Sequence, residues 1–439
     1  MTSRFQAALA ALAAFALAMP MSAGAALDPR ERKVIAAVDA EQARTVGLLE
    51  GWVNQNSGSL NIPGVEAVAK MVRPEFEALG FRVEWLDMRP VGRAGHLVAT
   101  HKGNGRGKRL LLIAHLDTVF EPHSPFQRWV RRGDKGEGPG AGDDKGGIAV
   151  IVAALRAMRA AGTLKNADIK VFLTGDEEDA ASPITVTRGP LVEAGKWADV
   201  ALDFEGLAID DGREMGSTAR RSSDSWTVKV TARSGHSSGI FRPGTGYGAA
   251  YELARIIDAF RRELPEAKLT YNIGLIGAGE TVELSADKIR TTATGKTNII
   301  APVAVARGDL RALTEEQIER AKTKMQAIVG QSLPGTTAAI EFDEGGYPPM
   351  APTEGNRAVL AKLNLVNRDM GLPAMGELDP EKRGAGDISF VARDVDSLAG
   401  LGPDSSGSHA PGETVDIPSI FKQAKRAAVL MSRLAAERR

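Results

Sequence analysis

Three apolar runs that each end in acidic or histidine side chains constrain the fold of this chain more than any other feature. They read "RLLLIAHLD", "DIKVFLTGDEE" and "WADVALDFEG", and the helical pattern "IAVIVAALRAMRAAG" separates the first from the second. A nearly continuous apolar run of this length is typical of a strand that is covered on both faces. Strands that alternate with helices predict an α/β fold with a mainly parallel sheet.

The ends of these strands predict one polar crevice. "AHLD" places His115 and Asp117 at a strand end, "GDEED" places Glu177 and Glu178 at the next, and "DFEG" contributes Glu205. The carboxyl ends of strands in an open α/β sheet line a common crevice. So many carboxylates close together would raise one another's pKa, and divalent cations would remove that repulsion.

Two further motifs join this set. "GPGAGDDKGG" holds Asp143 beside Asp144, and the late "SGSHAPGE" holds His409. Taken alone, Asp143 is also a candidate cap for the following helix, His409 a surface residue, and the paired glutamates a solvated turn. Taken together and in order, the motifs favour a metal site. The chain has no cysteine, so a metal must use His, Asp and Glu, which zinc accepts.

The whole chain has 439 residues and a formal net charge of zero, which argues against nucleic acid as its partner. After about Arg220 the pattern changes to alternating strands and amphipathic helices, from "SWTVKVTAR" to "TTAAIEFDEGG". This pattern predicts a small two-layer α+β unit inserted into the α/β domain. The predicted domain parts are residues 27–219 and 346–439 for the α/β domain and residues 220–345 for the insertion.

The N-terminus predicts export. Arg4 precedes an alanine- and leucine-rich run, Pro20 ends that run, and small residues follow. This is the pattern of a signal peptide over residues 1–26, with cleavage near Ala25 or Ala26 and a secreted or periplasmic mature chain. A membrane anchor is the alternative, although the run is short for a bilayer-spanning helix. No later stretch is apolar enough to cross a membrane, so no membrane partner is expected.

The motifs "HLDTV", "GPGAGDDKGG", "DEE" and "DFEG", followed by a late histidine, resemble the two-zinc exopeptidase and amidohydrolase family. That family includes glutamate carboxypeptidase, aminoacylase and succinyl-diaminopimelate desuccinylase, and "DDKGG" and "FEG" lean toward the glutamate carboxypeptidase branch. The resemblance implies a zinc-exopeptidase catalytic domain with an inserted ferredoxin-like lid, which also serves for dimerisation. It also implies two Zn²⁺ ions per subunit.

The resemblance implies a role for each residue of the crevice. His115 and Glu205 would bind one zinc, Glu178 and His409 the other, and Asp143 would bridge both. Asp203, two residues before Glu205, competes for the same role, and Glu205 is preferred because it holds the family's position in "FEG". Asp144 would not be a ligand. Asp117 would orient the ring of His115, and Glu177 would be the general base.

The inserted unit carries further residues that the resemblance implies. In "TARSGHSSGI", His236 would reach into the neighbouring subunit's cleft and help hold the oxyanion, which implies a homodimer formed through the lids. A satisfied surface histidine is the alternative. Asn298 in "GKTNII" and Arg311 in "GDLRAL" would bind the substrate carboxylate. In "RGAGDIS", Gly384 to Gly386 would present backbone amides to the substrate.

Two stretches depart from the family pattern. The family follows its paired glutamates with glycine and serine, whereas this chain has "DEEDAASPITVTRG", and the lid stretch "TVELSADKIRTTATGK" is long. The function expected is hydrolysis of an amide bond next to a free carboxylate, in a small peptide or N-acyl amino acid with C-terminal glutamate or a similar residue. An aminoacylase or a di- or tripeptidase on the same scaffold is one alternative, and a binding protein without chemistry is another.

Overall fold

The computed structural model describes residues 27–439, and the elements given below refer to that part of the chain. The predicted signal peptide, residues 1–26, lies outside the described residues. The α-helices in the described part span Pro29–Ala40, Gln42–Val53, Ile62–Glu77, Lys145–Ala161, Ile184–Trp197, Ala249–Glu263, Glu315–Val329, Glu354–Asp369 and Ile417–Ala436.

A six-stranded mixed sheet, called the large sheet below, carries the apolar runs. In spatial order its strands are Arg82–Asp87, Gly95–His101, Ile169–Thr174, Leu110–His115, Val200–Asp203 and Asp396–Leu398. The last four are paired in parallel, and both antiparallel pairings involve Gly95–His101. The α/β class predicted from the sequence is confirmed.

The central strand Leu110–His115 shows why its sequence is apolar throughout. All six of its residues are buried. Leu110 and Leu112 pack into one hydrophobic core, whereas Leu111 and Ile113 pack into another on the opposite face. Successive side chains of a strand point to opposite faces, so a strand covered on both sides has no position for a polar residue until it ends. His115 is the residue at that end.

Helices cover both faces of the large sheet. Pro29–Ala40, Lys145–Ala161 and Ile417–Ala436 pack against one another on one face. Ile184–Trp197 lies on the other face, where it contacts the short 3₁₀ turn Asp387–Phe390. On this second face the 3₁₀ turn, which directly follows Gly384 to Gly386, lies close to the strand ends.

Helix Lys145–Ala161 fits closely against the sheet at its first turn. A Cβ atom added to Gly147 would lie 2.1 Å from the carbonyl oxygen of Phe204 and 2.2 Å from Oδ1 of Asp144. Only glycine permits this approach, because a real side chain would push the helix away from the strand end. The helix start, and with it the loop that carries Asp143, is thereby held against the ends of the strands.

A second, four-stranded sheet lies within residues 224–342, which are called the small unit below. Its strands, in spatial order, are Thr270–Gly279, Val303–Arg311, Asp224–Ala232 and Thr336–Phe342, and all neighbouring pairs are antiparallel. Helices Ala249–Glu263 and Glu315–Val329 cover one face around an apolar core that includes Trp226, Phe260 and Met325. The order of elements is the split β-α-β arrangement of ferredoxin-like units.

The long stretch that departs from the family pattern forms a hairpin in the small unit. Thr281–Leu284 pairs with Thr291–Thr294 in antiparallel register. The neighbouring strand Thr270–Gly279 lies at the edge of the four-stranded sheet, and its residues alternate between exposed and half-buried. The uncovered face of this sheet is therefore largely open to solvent.

Two short segments, 220–223 and 347–350, join the small unit to the rest of the chain and are called the connecting ribbon below. Arg220 pairs with Met350 and Ser223 with Tyr347 in isolated antiparallel bridges. The predicted domain boundaries, after residues 219 and 345, lie beside this ribbon. The division into independent domains stays a prediction.

Within residues 27–439, no helix has both the length and the apolar character that crossing a bilayer requires.

Candidate active site

His115 and Asp117 form the first part of the site, at the end of the central strand. Nδ1 of His115 lies 3.3 Å from Oδ1 of Asp117. The Asp117 carboxylate also accepts hydrogen bonds from Oγ of Ser59 at 2.6 Å and from the amides of Glu177 and Glu178 at 3.1 Å each. Burial alone would raise the pKa of Asp117, but the hydrogen bonds from His115 and Ser59 hold it below its usual value. Asp117 therefore orients the imidazole so that Nε2 faces the crevice.

Asp143 lies between the two histidines of the crevice. Its Oδ1 is 3.0 Å from Nε2 of His115, and its Oδ2 is 3.4 Å from Nε2 of His409. Burial would raise the pKa of Asp143, but hydrogen bonds from His115 and then His409 hold it far below its usual range. The carboxylate directs one oxygen to each histidine, and this is the geometry expected of a bridging ligand.

The alternative reading of Asp143 as a helix cap is wrong. Helix Lys145–Ala161 has Asp144 as its N-cap residue, and no side chain makes a capping hydrogen bond there. Asp144 is fully buried, and its Oδ2 accepts from the backbone amide of His115 at 3.3 Å. The two adjacent aspartates therefore point in different directions, one into the crevice and one into the protein.

His409 and Glu178 complete the opposite side of the crevice. Nε2 of His409 lies 3.1 Å from Oε2 of Glu178. Hydrogen bonds to Asp143 and then Glu178 raise the pKa of His409 to about 10, so the metal-free protein holds this imidazole protonated. Ligand atoms of His115, Asp143 and Glu178 all lie within 4.8 Å of one another, which is close enough to share one cation.

Glu177 precedes Glu178 and is partly buried beside the cluster. Burial raises its pKa well above the usual value, and the negative charge of Glu205 raises it further. A carboxyl group with a raised pKa next to a metal site is suited to accept and return a proton.

Glu205 lies at the edge of this arrangement rather than inside the three-residue cluster. Its Oε2 is 2.8 Å from Nη1 of Arg220 and 3.3 Å from Nη2 of Arg383. It lines a cavity of about 220 Å³ together with Asp143. Burial would raise the pKa of Glu205, but Arg220 and Arg383 hold it below its usual value.

Asp203, the competitor for the role of Glu205, is almost fully buried and pairs with Nη1 of Arg220 at 3.2 Å. Burial and the charge of Glu205 raise its pKa to about 7. Of the two acids, Glu205 shares a cavity with Asp143, which favours Glu205 as the ligand.

The candidate residues of the small unit lie apart from the metal cluster. His236 is exposed, and its Nδ1 lies 2.9 Å from Oγ of Ser238. Asn298 is exposed and neighbours His236 through the pairing of Gly235–His236 with Ile299–Ile300. Arg311 donates from Nε to Asp309 at 2.9 Å. Among residues 27–439, no hydrogen bond or ion pair joins these three side chains to the cluster.

Residues 384–386, the glycine-rich segment of "RGAGDIS", lie beside Glu205. Nε of Arg220 donates to the carbonyl of Gly384 at 2.7 Å, and Nη2 donates to the carbonyl of Ala385. A Cβ atom on Gly386 would lie 2.3 Å from Nη1 of Arg220. The segment therefore uses carbonyl groups to hold the arginine, and the predicted presentation of amides to a substrate stays a prediction.

Two residues of the site were missed by sequence reasoning. Arg220 pairs with both Asp203 and Glu205. Two acids two residues apart at the end of a buried strand were a signal that a cation must lie near. Glu413 accepts from the amides of Gly142 at 2.8 Å and Asp143 at 3.0 Å, and burial raises its pKa to about 7. Glu413 thereby ties the His409 loop to the Asp143 loop.

A metal-dependent hydrolase is the class of protein that this arrangement defines, because the paired acids and imidazoles suit divalent cations and Glu177 is left for proton transfer. The model of Peptidase family M20/M25/M40 matches residues 111–433, and the chain belongs to this family. The predicted family and the predicted metallopeptidase class of enzyme are therefore confirmed.

Curated relatives match over most of the chain. Carboxypeptidase G2 from Pseudomonas sp. (strain RS-16) is 28% identical over 431 residues, covering 96% of this chain and 96% of that protein. Succinyl-diaminopimelate desuccinylase from Leptothrix cholodnii is 24% identical over 397 residues, covering 86% of this chain and 95% of that protein.

Solved structures share the fold. An aminopeptidase from Bacillus cereus has a TM-score of 0.70 at 19% identity, covering 90% of this chain and 99% of that one. A Bacillus subtilis protein described as a dinuclear metal binding peptidase has a TM-score of 0.61 at 15% identity, with 90% and 98% covered. At this identity the likeness concerns the fold alone.

Proposed function

We propose that the chain is a dinuclear-zinc hydrolase of the carboxypeptidase type, which cleaves the amide bond next to a free C-terminal carboxylate. The observation that carries the proposal is Asp143, which offers one oxygen to His115 and the other to His409. The similarity to carboxypeptidase G2 over 96% of the chain supports the carboxypeptidase type. Glutamate or a similar residue is the proposed leaving amino acid, following the motifs "DDKGG" and "FEG".

The donor set fits two divalent cations. His115, Asp143 and Glu205 would hold one ion, and Asp143, Glu178 and His409 would hold the other. Several acids meet in one crevice, and the metal-free chain balances them by keeping His409 protonated and by pairing Glu205 with Arg220 and Arg383. When bound, two zinc ions lower the pKa of water and stabilise negative charge on an oxygen atom.

Glu177 moves the proton in the proposed reaction. It takes a proton from the attacking water as the new C–O bond forms at the amide carbonyl, and it delivers that proton to the leaving nitrogen as the C–N bond breaks. Its raised pKa suits both halves of this transfer. Asp117 holds the backbone amides of Glu177 and Glu178, so the base and its neighbouring ligand keep a fixed relation to His115.

The small unit supplies the proposed substrate contacts. Arg311 and Asn298 would bind the substrate carboxylate, and Gly384 to Gly386, outside the small unit, would present backbone amides to the substrate. His236 would stabilise the oxyanion in the cleft of a neighbouring subunit, which makes the proposed enzyme a homodimer through its lids. The exposure of His236 and its separation from the cluster of its own chain support this assignment.

A substrate panel tests the proposal. N-acyl amino acids and dipeptides with varied C-terminal residues are incubated with the zinc-loaded protein, each beside its C-terminal amide. We expect hydrolysis of the free acids, no hydrolysis of the amides, loss of activity with a chelator, and recovery with zinc. Robust cleavage of the amides would contradict the role of Arg311, and cleavage confined to N-acyl amino acids would indicate an aminoacylase. Inactivity on the whole panel would contradict the hydrolase.

We also propose that the chain is exported. The support is the N-terminal pattern of residues 1–26. Mass spectrometry of the protein made in a bacterial host with its own N-terminus is expected to find a mature chain that begins near Leu27 in the exported fraction. An uncleaved chain in the membrane fraction would indicate an anchor.

A further inference from the structure

The connecting ribbon continues the small sheet toward the active site. Beyond the last paired residues of strands Asp224–Ala232 and Thr336–Phe342, Ser223 and Tyr347 exchange backbone hydrogen bonds of 2.9 and 3.0 Å. Arg220 and Met350 exchange two more of 2.9 Å each. A Cβ atom on Gly346 would lie 2.7 Å from the carbonyl oxygen of Ser223, so glycine is required where the two segments come together.

One segment of the ribbon directs Arg220 to the Glu205 side of the site. This guanidinium contacts Asp203 at 3.2 Å, Glu205 at 2.8 Å and the carbonyl of Gly384 at 2.7 Å. Its side chain is 3% exposed, so these charge-assisted hydrogen bonds are protected from water. The position of Glu205 thus depends on a residue of the ribbon.

The other segment of the ribbon directs Tyr347 to the Glu177 side. The hydroxyl of Tyr347 donates to the carbonyl oxygen of Glu177 at 2.9 Å and accepts from Nη2 of Arg188 at 3.0 Å. Its ring packs edge-on against Phe390, with 4.9 Å between the ring centroids. The hydroxyl therefore has a defined partner on each side.

Arg188 holds this hydroxyl in place from within the protein. It is 1% exposed, and Nε donates to Asp387 at 2.6 Å while Nη2 donates to the carbonyl of Asp176 at 3.0 Å. Nη1 donates to the carboxylate of Asp176 and to Oγ1 of Thr187. All five N–H groups of the guanidinium are thus used, and a rigid fork of this kind fixes its partners in direction as well as distance.

The backbone of Glu177 is held at both of its polar groups. Its amide donates to Asp117 at 3.1 Å, and its carbonyl accepts from Tyr347 at 2.9 Å. When both groups of one residue have fixed partners, the backbone angles of that residue are restricted, and so is the direction of its side chain. One of the two partners belongs to the segment that returns from the small unit.

We propose that Tyr347 is a positioning residue for Glu177, supported by Arg188, and that Arg220, on the other segment of the ribbon, has the same role for Glu205. The connection between the two parts of the molecule thereby sets the geometry of both sides of the metal site. Where turnover is measured, this inference rests on the proposed hydrolase function.

The substitution Tyr347→Phe tests the inference, because it removes the hydroxyl and keeps the ring against Phe390. Loss of the hydrogen bond that positions Glu177 is expected to lower kcat by about 3- to 10-fold. KM and zinc content should stay close to those of the unaltered protein, and Tm should fall by only a few degrees because Arg188 also loses an acceptor. Tyr251→Phe, at an exposed tyrosine of helix Ala249–Glu263, is the matched control and should leave kcat unchanged.

Amide hydrogen exchange provides a readout that does not depend on turnover. In Tyr347→Phe we expect faster exchange in peptides that cover residues 175–181 and unchanged exchange in strand Val303–Arg311 of the small sheet. If the unaltered protein hydrolyses nothing in the substrate panel, the proposed function fails, and the exchange result still decides the positioning role. Unchanged exchange at residues 175–181, or an unchanged kcat in an active enzyme, would overturn the inference.

Discussion

The large sheet and the small unit place their candidate functional residues in opposite surroundings. The ends of the large sheet bury Asp117, Asp144 and Asp203 almost completely, and each is held by a histidine, a backbone amide or an arginine. The small unit has an apolar core beneath its helices, and its candidate residues His236 and Asn298 face solvent. Burial of a charge costs free energy unless it is paired, so each buried acid of the large sheet depends on the partner that holds it.

This difference suits different proposed roles for the two regions, metal binding in the large sheet and substrate contacts in the small unit. The cluster of the large sheet is assembled within one chain, since His115, Asp143 and Glu178 already offer ligand atoms within 4.8 Å. The residues of the small unit contact only their own surroundings, such as Ser238 for His236 and Asp309 for Arg311. The roles proposed for them would therefore need a group that approaches from outside, either a substrate or a second subunit.

The largest effect is expected in the large sheet, from Glu177→Gln. Loss of the general base should lower kcat by about 10³-fold, within the range that general acid–base catalysis contributes. The zinc content should stay unchanged, because Glu177 is not a proposed ligand. Steady-state kinetics and metal analysis measure the two quantities, and Glu280→Gln at an exposed position is the control. Near-normal activity of Glu177→Gln would show that another group is the base.

A mixing experiment tests whether the small unit acts across subunits. His236→Ala alone should lower kcat by about 10²-fold, as expected for loss of one oxyanion donor. The His236→Ala and Glu177→Gln proteins are then unfolded and refolded together in equal amounts, so that half of the dimers contain one subunit of each kind. Each mixed dimer has one intact site, which combines Glu177 of the first variant with His236 of the second. Activity should then recover to about a quarter of that of the unaltered protein. Absence of recovery, with mixed dimers shown by mass spectrometry, would place His236 outside the neighbouring site.

A smaller effect is expected in the pH dependence of the metal-free protein. Asp143 and Glu178 raise the pKa of His409 from 6.5 to about 10. A raised pKa in the folded state stabilises the protein fully below pH 6.5, and this stabilisation is lost as the pH rises toward 10. Urea unfolding from pH 6 to 10 should therefore show a decline that is shallower in His409→Ala. His123→Ala, at an exposed histidine, should keep the original slope.

The same pairing has a consequence for metal binding. A cation competes with the proton on His409, so binding should release protons and strengthen as the pH rises. Calorimetry in buffers of different ionisation enthalpy measures this release. Equal proton release by the unaltered protein and His409→Ala would contradict the assignment of His409 as a ligand.

The smallest effect is expected for an ion pair on the open face of the small sheet. Nζ of Lys229 lies 3.0 Å from Oε2 of Glu341, and more than half of each side chain is exposed. Lys229→Gln should change the free energy of unfolding by less than about 1 kcal/mol, because solvent screens such pairs. A double-mutant cycle with Glu341→Gln measures the coupling. A coupling of several kcal/mol would show that this face is covered in the native protein.

Much of the site could be predicted from the sequence because its residues stand at the ends of recognisable strands. His115, Glu177 and Glu178 follow apolar runs, and strand ends meet at one edge of a parallel sheet whatever the details of packing. Glu413 and Arg220 could not be predicted in this way. The contacts of Glu413 join segments that are far apart in the sequence, and Arg220 lies at the junction between the large sheet and the small unit. No local periodicity encodes such contacts.

The loop after Glu178 shows the same limit. Its sequence departs from the family pattern, and the pattern of "DAASPITVTRG" alone predicts no function. In the folded chain it leads to Arg188, which joins Asp176 to Asp387 and to Tyr347. A buried guanidinium needs several acceptors from different segments, so its function appears only when those segments are brought together.

By itself, the sequence determined the α/β class, the order of the proposed metal-binding motifs and the change of pattern near Arg220, because hydrophobic periodicity and strand-end chemistry are local properties. Only the tertiary structure decided that Asp143 lies between two histidines and is not a helix cap. It also decided that Glu205 forms ion pairs with two arginines, and that the connecting ribbon contacts both sides of the site. The physical reason is that distances, burial and pairing of charges depend on how segments far apart in the chain pack together.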